Sequence, residues 1–196
     1  MEEYITPINL FAEEVKNILG NGATSLYKLD GLEGTNLSAD KVKFIEAFRI
    51  RPSAPPFFIF KEGRNEIDLL CKLGTEGDIK WVRETWDDYT DPEGNKDFKD
   101  EARDQFLSRP KINSWPSYDF MPKAACRLFL KITSIRPDRV RNIFTEETAY
   151  KMGNYSYKRI WERNKWVFVI DFERIDPKQY AAKNKKFAKW MGNKPL

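Results

Sequence analysis

The chain has 196 residues, of which 41% are hydrophobic, and this is enough to bury the core of one domain. It has no histidine and only two cysteines, Cys71 and Cys126, which excludes serine–histidine and cysteine–histidine catalytic sites and the usual zinc sites, and favours reduced, partly buried thiols. The formal net charge is +4. The sequence has no long apolar run and no signal-peptide core, which predicts a cytoplasmic protein without a membrane segment. We expect no cofactor.

The first predicted element is an amphipathic helix that ends at a glycine-containing loop. Asn9 is a candidate N-cap, and Gly20–Gly22 can supply the left-handed residue that ends the helix. The loop lacks the Lys-Ser/Thr ending of a phosphate-binding P-loop, and no apolar strand runs directly into it. The end of a helix is therefore a sufficient reason for these glycines. The apolar residues at helical spacing are Phe11, Val15, Ile18 and Leu19.

Two predicted insertions interrupt a series of predicted strands. The first covers about residues 30–56, with a candidate helix over 39–48, and the second about 87–122, with a candidate helix near 97–107. The strand that follows the turn at Gly77 and Asp78 places Trp81 and Arg83 on one face, and Val82, Glu84 and Trp86 on the other. The other apolar or alternating runs that predict strands are FFIFK (57–61), IDLLCKL (67–73), CRLFLKITSI (126–135) and KWVFVIDFERI (165–175).

Helices are predicted after the strand at 126–135 and at the end of the chain. TEETAYKMG (145–153) and SYKRIWERN (156–164) favour short helices, and Asp176 followed by Pro177 opens the last one. Strands and helices without a regular βαβ repeat predict an α+β fold, a small mixed β-barrel with flanking helices. We expect this domain to cover residues 1–175, followed by a basic amphipathic helix over 176–196.

Four segments, in this order along the chain, resemble ASCH-domain proteins, most closely the phage-associated members. They are LFAEEVKNIL with its glycine turn, GDIKWVRETW, MPKAACRLFLKITSIRPDRVRNIFTEETA and IWERNKWVFVIDFERI. The resemblance implies a PUA-like barrel with a cleft between the barrel and the first helix. Such domains are associated with RNA or modified nucleosides, and some bacterial members hydrolyse the amide of an acetylated cytidine.

The sequence departs from the family at the positions that carry this hydrolysis. The family segment Gly-x-Lys-Thr-x-Thr-x-Arg falls on NGATSLYK, and only its first threonine is retained, as Thr24. A catalytic glutamate on the later helix falls on Met152, although Lys28 or Lys151 would reach the cleft if the alignment slips. Loss of these groups predicts no catalytic residues. The lysine, second threonine and arginine of the segment fall on Ala23, Leu26 and Lys28.

The candidate ligand-binding residues are basic, aromatic and hydroxyl side chains that the resemblance places around the cleft. Arginine and tryptophan hold phosphates and bases. The alternative is a structural Arg–Glu pair beside packing tryptophans. The candidates are Thr24, Lys28, Trp81, Arg83, Glu84, Trp86, Lys123 and Arg127. A wider basic run, which either follows a nucleic-acid backbone or forms a solvated face, comprises Lys123, Arg127, Lys131, Arg136, Arg139 and Arg141.

Three functions remain open from the sequence. The first is non-catalytic binding of RNA, single-stranded nucleic acid, a nucleotide or a modified nucleoside. The second is a protein-interaction module, with Trp115, Tyr118 and Phe120 as candidate anchors. The third is a residual amidohydrolase or nuclease that depends on Lys28, Glu84 or Lys151. The terminal helix either binds a partner or packs its aromatic residues on its own domain.

Overall fold

The computed structural model describes residues 5–51, 54–84, 86–90, 96–100, 121, 126–147 and 155–192. Among them no helix is long and apolar enough to cross a membrane. The strands are β1 (Ile5–Asn9), β2 (Ser25–Lys28), β3 (Val42–Phe48), β4 (Phe57–Glu62), β5 (Asn65–Leu70), β6 (Ile79–Arg83), β7 (Trp86–Thr90), β8 (Lys96–Asp100), β9 (Phe129–Arg139) and β10 (Trp166–Ile175). The helices are α1 (Ala12–Gly20), α2 (Val140–Ile143), α3 (Tyr155–Glu162), α4 (Pro177–Lys183) and α5 (Lys185–Met191), with a 3₁₀ turn at Thr35–Ser38.

The described strands form an open sheet and two smaller ones. Five strands are ordered β1-β6-β9-β10-β2, three are ordered β3-β4-β5, and β7 pairs with β8. The predicted α+β class is confirmed. The predicted barrel is not closed by the described residues, because β1 and β2 lie at the two ends of the strand order and do not pair with each other.

The chain divides into two compact units, each built from separate segments. Unit I comprises Ser25–Gly77 and Ile132–Asp171, and unit II comprises Glu3–Thr24, Asp78–Lys131 and Phe172–Leu196. Each unit has an apolar cluster of its own. We describe the two units separately.

Unit I is organised around β10. Val167 and Val169 pack with Ile160 of α3 and with Phe144, which follows α2, on one side of the strand. On the other side Phe168 contacts Phe58, with ring centroids 5.1 Å apart. Both faces of the strand are therefore buried, as the continuous apolar run WVFVI requires. Helix α3 and strand β10 confirm the elements predicted at 156–164 and 165–175.

The first predicted insertion is not helical over 39–48. Residues Val42–Phe48 form β3, which pairs antiparallel with β4 and places Phe44 opposite Phe60. The aromatic ring of Phe44 lies 5.6 Å from that of Phe60 and 6.5 Å from that of Trp166. Burial against aromatic neighbours in a sheet has outweighed the local helical pattern.

A second helix prediction is also wrong over its described part. Residues Lys96–Asp100 form β8 and pair with β7 in an antiparallel ribbon. The pairing places Phe98 opposite Asp88 and Lys99 opposite Asp87. The remainder of the predicted helix near 97–107 lies outside the described residues, as does most of the helix predicted at 145–153.

Unit II contains β1, β6 and the first residues of β9. Strand β1 runs parallel to β6 with Ile5 opposite Ile79, and β6 pairs antiparallel with β9, with Trp81 opposite Phe129. In helix α1, Val15 is fully buried, as its helical spacing predicts. The predicted N-cap is wrong: Asn9 belongs to β1, and the helix starts after Phe11, whose backbone N–H donates to the Glu14 carboxylate at 2.9 Å.

The loop after α1 ends a helix, as its glycines predict. Gly22 has φ +67°, the left-handed conformation that glycine adopts without strain. The backbone N–H groups of Asn21 and Ala23 both donate to the carbonyl of Asn17, which satisfies the end of the helix. The chain then enters β2 at Ser25, an element that the sequence interpretation missed.

The terminal segment of unit II packs its aromatic residues on its own unit. Asp176 caps α4 by accepting from the N–H groups of Lys178 and Gln179, which confirms the predicted start. Asn184 interrupts the single helix that was predicted, because its side chain caps α5 at Phe187 N. The apolar cluster that includes this segment contains Ile79, Phe129, Phe187 and Met191, with Tyr180 and Trp190 packed against it.

Candidate functional site

An ionic contact between described residues of unit II joins Glu84 to Arg127. Arg127 donates from Nε to Glu84 Oε1 and from Nη2 to Oε2, both at 3.0 Å. Only 2% of the Glu84 side chain is exposed, against 33% for Arg127. A carboxylate this deeply buried needs a charged, hydrogen-bonded partner. The described partner of Glu84 is thus Arg127, and the pair of Arg83 with Glu84 that the sequence left open stays a prediction.

The backbone fixes both members of this pair. Glu84 directly follows β6, and its N–H donates to the sulfur of Met121 at 3.3 Å. The N–H of Val82 donates to the carbonyl of Leu128 at 2.9 Å, which holds the residue after Arg127 against β6. Arg127 precedes β9, and its guanidinium is positioned by the backbone contact of Leu128 with β6 and by the buried carboxylate.

Arg83 is held by different partners. Its Nε donates to Asn9 Oδ1 at 2.9 Å, and Asn9 lies directly opposite it in the β1–β6 register. The Arg83 guanidinium carbon lies 5.8 Å from the centre of the Trp81 ring, at the outer limit for a cation–π contact. Asn9 is a contact that sequence reasoning missed, because it requires the parallel pairing of two strands far apart in the chain.

Trp81 contributes to packing. It is half-buried and lies against the apolar cluster of Ile79, Phe129 and Phe187. The interpretation of Trp81 as a packing tryptophan therefore gains support over its use as an open stacking surface. Lys80, which the sequence interpretation did not single out, is buried on the same strand and donates from Nζ to Thr6 Oγ1 at 2.6 Å.

The candidates from the family segment fall in both units. Thr24 in unit II is exposed, and its carbonyl accepts from the N–H of Phe172 at 2.9 Å. Lys28 in unit I is half-buried at the end of β2, opposite Phe168. Leu26, at the position of a family threonine, is 4% exposed and belongs to the core.

The remaining candidates have less structural description. Trp86 is the first residue of β7. Lys123 lies outside the described residues, as do Lys151, Met152, Trp115, Tyr118 and Phe120.

The described members of the predicted basic run contact their own chain. Arg139 donates to the carbonyls of Ala39, Val42 and Asn164, and its guanidinium lies 4.2 Å from the centre of the Trp166 ring. Partial burial lowers the pKa of Arg139, against the opposing charge of Asp40. These contacts give Arg139 a structural role in unit I.

Two further cations of the run are also engaged. Arg141 donates from Nε and Nη2 to the carbonyls of Trp161 and Glu162, at the end of α3. In unit II, Lys131 Nζ lies 5.8 Å from the centre of the Tyr180 ring. These cations contact their own chain, and both interpretations of the run, a nucleic-acid surface and a solvated face, stay predictions.

A polar cluster in unit I was missed by the sequence interpretation. Asp171 accepts hydrogen bonds from Ser25 Oγ at 2.6 Å, from Ser134 Oγ at 2.7 Å and from Arg136. Partial burial raises the pKa of Asp171, but the three hydrogen bonds and the charge of Arg136 outweigh it and lower the pKa overall. Burial raises the pKa of the neighbouring Tyr27. In the sequence, the only indication of this cluster is that Ser25, Ser134 and Asp171 are polar residues within otherwise apolar strands.

Comparisons with family models, curated proteins and solved structures returned no match. The resemblance to ASCH-domain proteins therefore stays a prediction. Among the described residues, no group of three or more histidine, cysteine, aspartate or glutamate side chains is placed to hold a metal ion.

Proposed function

We propose that this chain is a non-catalytic module of ASCH, PUA-like type that binds RNA, a nucleotide or a modified nucleoside. The observation that carries the proposal is the pair in which the buried Glu84 holds the one-third-exposed Arg127. Two hydrogen bonds fix the plane of the guanidinium before a ligand arrives, and this lowers the ordering cost of binding. A planar, oriented guanidinium suits phosphate oxygens and the edges of bases.

A second oriented arginine lies next to Glu84 in the chain. Arg83 precedes Glu84 directly and projects from the opposite face of the strand, so it would contact a ligand independently of Arg127. Asn9 orients Arg83 as Glu84 orients Arg127. Arginines that contact phosphates release counterions, and the resulting affinity depends on salt. The exposed Thr24, which belongs to the same unit, remains a candidate for a further hydrogen bond in this proposal.

The state of Glu84 favours binding over hydrolysis. Both of its carboxylate oxygens accept from Arg127, and an arginine partner stabilises the charged form. Such a carboxylate is poorly suited to take a proton from water. At the family positions for a catalytic lysine and threonine, Ala23 and Leu26 supply neither an amine nor a hydroxyl.

The test is titration of short RNA, single-stranded DNA and free nucleosides at low and moderate salt. The informative variant is Glu84→Gln/Arg127→Gln, which removes both charges and leaves no buried carboxylate without its partner. We expect this variant to stay folded and to bind about ten-fold more weakly or worse. The matched control is Arg49→Gln, an arginine that is paired with Glu76 in unit I and lies outside the predicted basic run, and it should bind as the wild type does.

Lysines of the terminal helices could give a different kind of binding. Neutralising them with glutamine leaves the buried Phe187 and Met191 in place, whereas truncation at Ile175 would remove part of the unit II core. Binding that is lost only in the neutralised variant would contradict the proposal, and so would equal binding by the Glu84→Gln/Arg127→Gln variant or no binding by the wild type. The exposed lysines are Lys178, Lys183, Lys185, Lys186 and Lys189.

A further inference from the structure

Unit I carries an apolar row on one face of its three-stranded sheet. Phe48, Phe57 and Leu70 lie directly opposite one another in β3, β4 and β5, so their side chains project from the same face. The rings of Phe48 and Phe57 stack, with centroids 5.1 Å apart and planes inclined by 12°. Nevertheless Phe48 is 41% exposed and Leu70 is 43% exposed.

The core of unit I uses the opposite face of this sheet. Phe58 and Phe60 alternate with Phe57 along β4 and are buried, at 1% and 0% exposure. They contact Phe168 and Trp166 with ring centroids 5.1 Å apart in each case. The two faces of a strand alternate, so the exposed row is an additional apolar surface that the core does not require.

An acidic row lies next to the apolar row on the same face. Glu46, Ile59 and Asp68 are opposite one another, two residues along each strand, which is a spacing of about 7 Å. Both carboxylate residues are exposed and flank the half-buried Ile59. The next row on this face is mixed in charge: Lys61, two residues beyond Ile59, lies opposite Lys43 on one side and Glu66 on the other.

A bulge within β3 and a residue beyond its end also expose apolar side chains. A register shift between Phe44 and Glu46 inserts Ile45, which is 52% exposed, and Ile50 just beyond the strand is 75% exposed. Between Phe48 and Ile50, Arg49 is paired with Glu76 at 3.4 Å. Contiguous exposed apolar residues with a charged rim are typical of protein-interaction sites.

We propose that this surface, the sheet patch of Phe48, Phe57, Ile59 and Leu70 with Glu46 and Asp68, binds a protein segment whose apolar side chains are flanked by lysine or arginine. The apolar row supplies buried area, and the two carboxylates select cations beside it. They also repel phosphates, so nucleic acid is a poor ligand for this face. The sheet patch therefore adds a second interaction to the binding proposed for Arg127, and neither depends on the other.

The test uses fluorescein-labelled extended peptides of about eight residues, a length that spans a strand of this sheet. One peptide alternates lysine with leucine, a second alternates glutamate with leucine, and a third alternates lysine with serine. Fluorescence anisotropy measures binding to the full chain. The lysine–leucine peptide should bind about ten-fold more tightly than either of the others.

Three protein variants tie this binding to the sheet patch. Phe48→Ser/Leu70→Ser should weaken the lysine–leucine peptide about ten-fold or more, and Glu46→Lys/Asp68→Lys should shift the preference toward the glutamate–leucine peptide. Leu37→Ser is the matched control, because Leu37 is 90% exposed but belongs to the 3₁₀ turn outside the sheet patch. It should bind all three peptides as the wild type does.

Three outcomes would overturn the proposal. The first is equal binding of the three peptides or binding of none. The second is peptide affinity that Phe48→Ser/Leu70→Ser leaves unchanged while circular dichroism shows a folded chain. The third is a wild-type dimer in sedimentation that this variant converts to a monomer, because the occupant would then be a second copy of the chain. None of these outcomes bears on nucleotide binding through Arg127.

Discussion

Removal of Arg127 alone should destabilise the chain more than removal of the whole ion pair. Arg127→Ala leaves the Glu84 carboxylate buried without its guanidinium, which costs about 3 kcal/mol. Glu84→Gln/Arg127→Gln has no such orphaned charge and should cost clearly less. Urea unfolding of the three proteins measures the difference. Equal losses for both variants would show that the pair contributes through side-chain packing instead of charge compensation.

Asp171 should make stability depend on pH in the acid range. Its folded pKa is lowered below the ordinary 3.8, so its contribution is complete above that value and is lost as pH falls through the folded pKa. Wild type and Asp171→Asn should therefore differ most in urea midpoint near neutral pH and converge below about pH 4. A constant difference over the whole pH range would contradict the hydrogen-bonded, ionised state of Asp171.

At this scale the sequence supports only part of the candidate site. The alternation along β6 places Arg83 and Glu84 on opposite faces, but it does not indicate that Arg127, 43 residues further on, is a partner of Glu84. The hydrogen-bond partners of these side chains are harder to predict from the sequence, because they lie far away along the chain. Ser25 and Asp171 are 146 positions apart, and no local pattern indicates that they share a hydrogen bond. Asn9 meets Arg83 only through the parallel register of β1 and β6.

The terminal helices are part of the core of unit II, and a single substitution should show it. Phe187 is fully buried, and its ring lies 5.5 Å from that of Phe129. Phe187→Ala should lower the free energy of unfolding by about 3–4 kcal/mol. Urea unfolding measures this loss, with Leu37→Ala as a near-neutral control for an exposed apolar residue. A loss below about 1 kcal/mol would mean that α5 is not packed as described.

Elements with a dominant side-chain period were predictable. Strands β4, β6, β9 and β10 follow runs of apolar or alternating residues, and the Asp176–Pro177 start of α4 follows from cap chemistry. The helix predicted over 39–48 failed because Phe44 gains more from the aromatic cluster of β4 and Trp166 than the segment gains from helical spacing. Asn184 divides the last helix, since one asparagine serves as the cap of a new one.

For the whole molecule, composition predicted the class, whereas topology depended on pairings between distant segments. Both cysteines are buried and form no disulfide, as expected for reduced thiols. The open order of the five-stranded sheet depends on which strands pair, and composition does not predict that pairing. In the terminal segment the described lysines are exposed, whereas Phe187 and Met191 are buried.

The division into two units has a consequence for any attempt to cut the chain. Between residues 5 and 192 the backbone passes from one unit to the other at residues 24–25, 77–78, 131–132 and 171–172. No continuous fragment shorter than nearly the full length contains all segments of unit II, and none confined to one side of residue 100 contains all segments of unit I. A premature stop codon directly after Asp171 would therefore encode unit I in full and still leave unit II without its terminal segment.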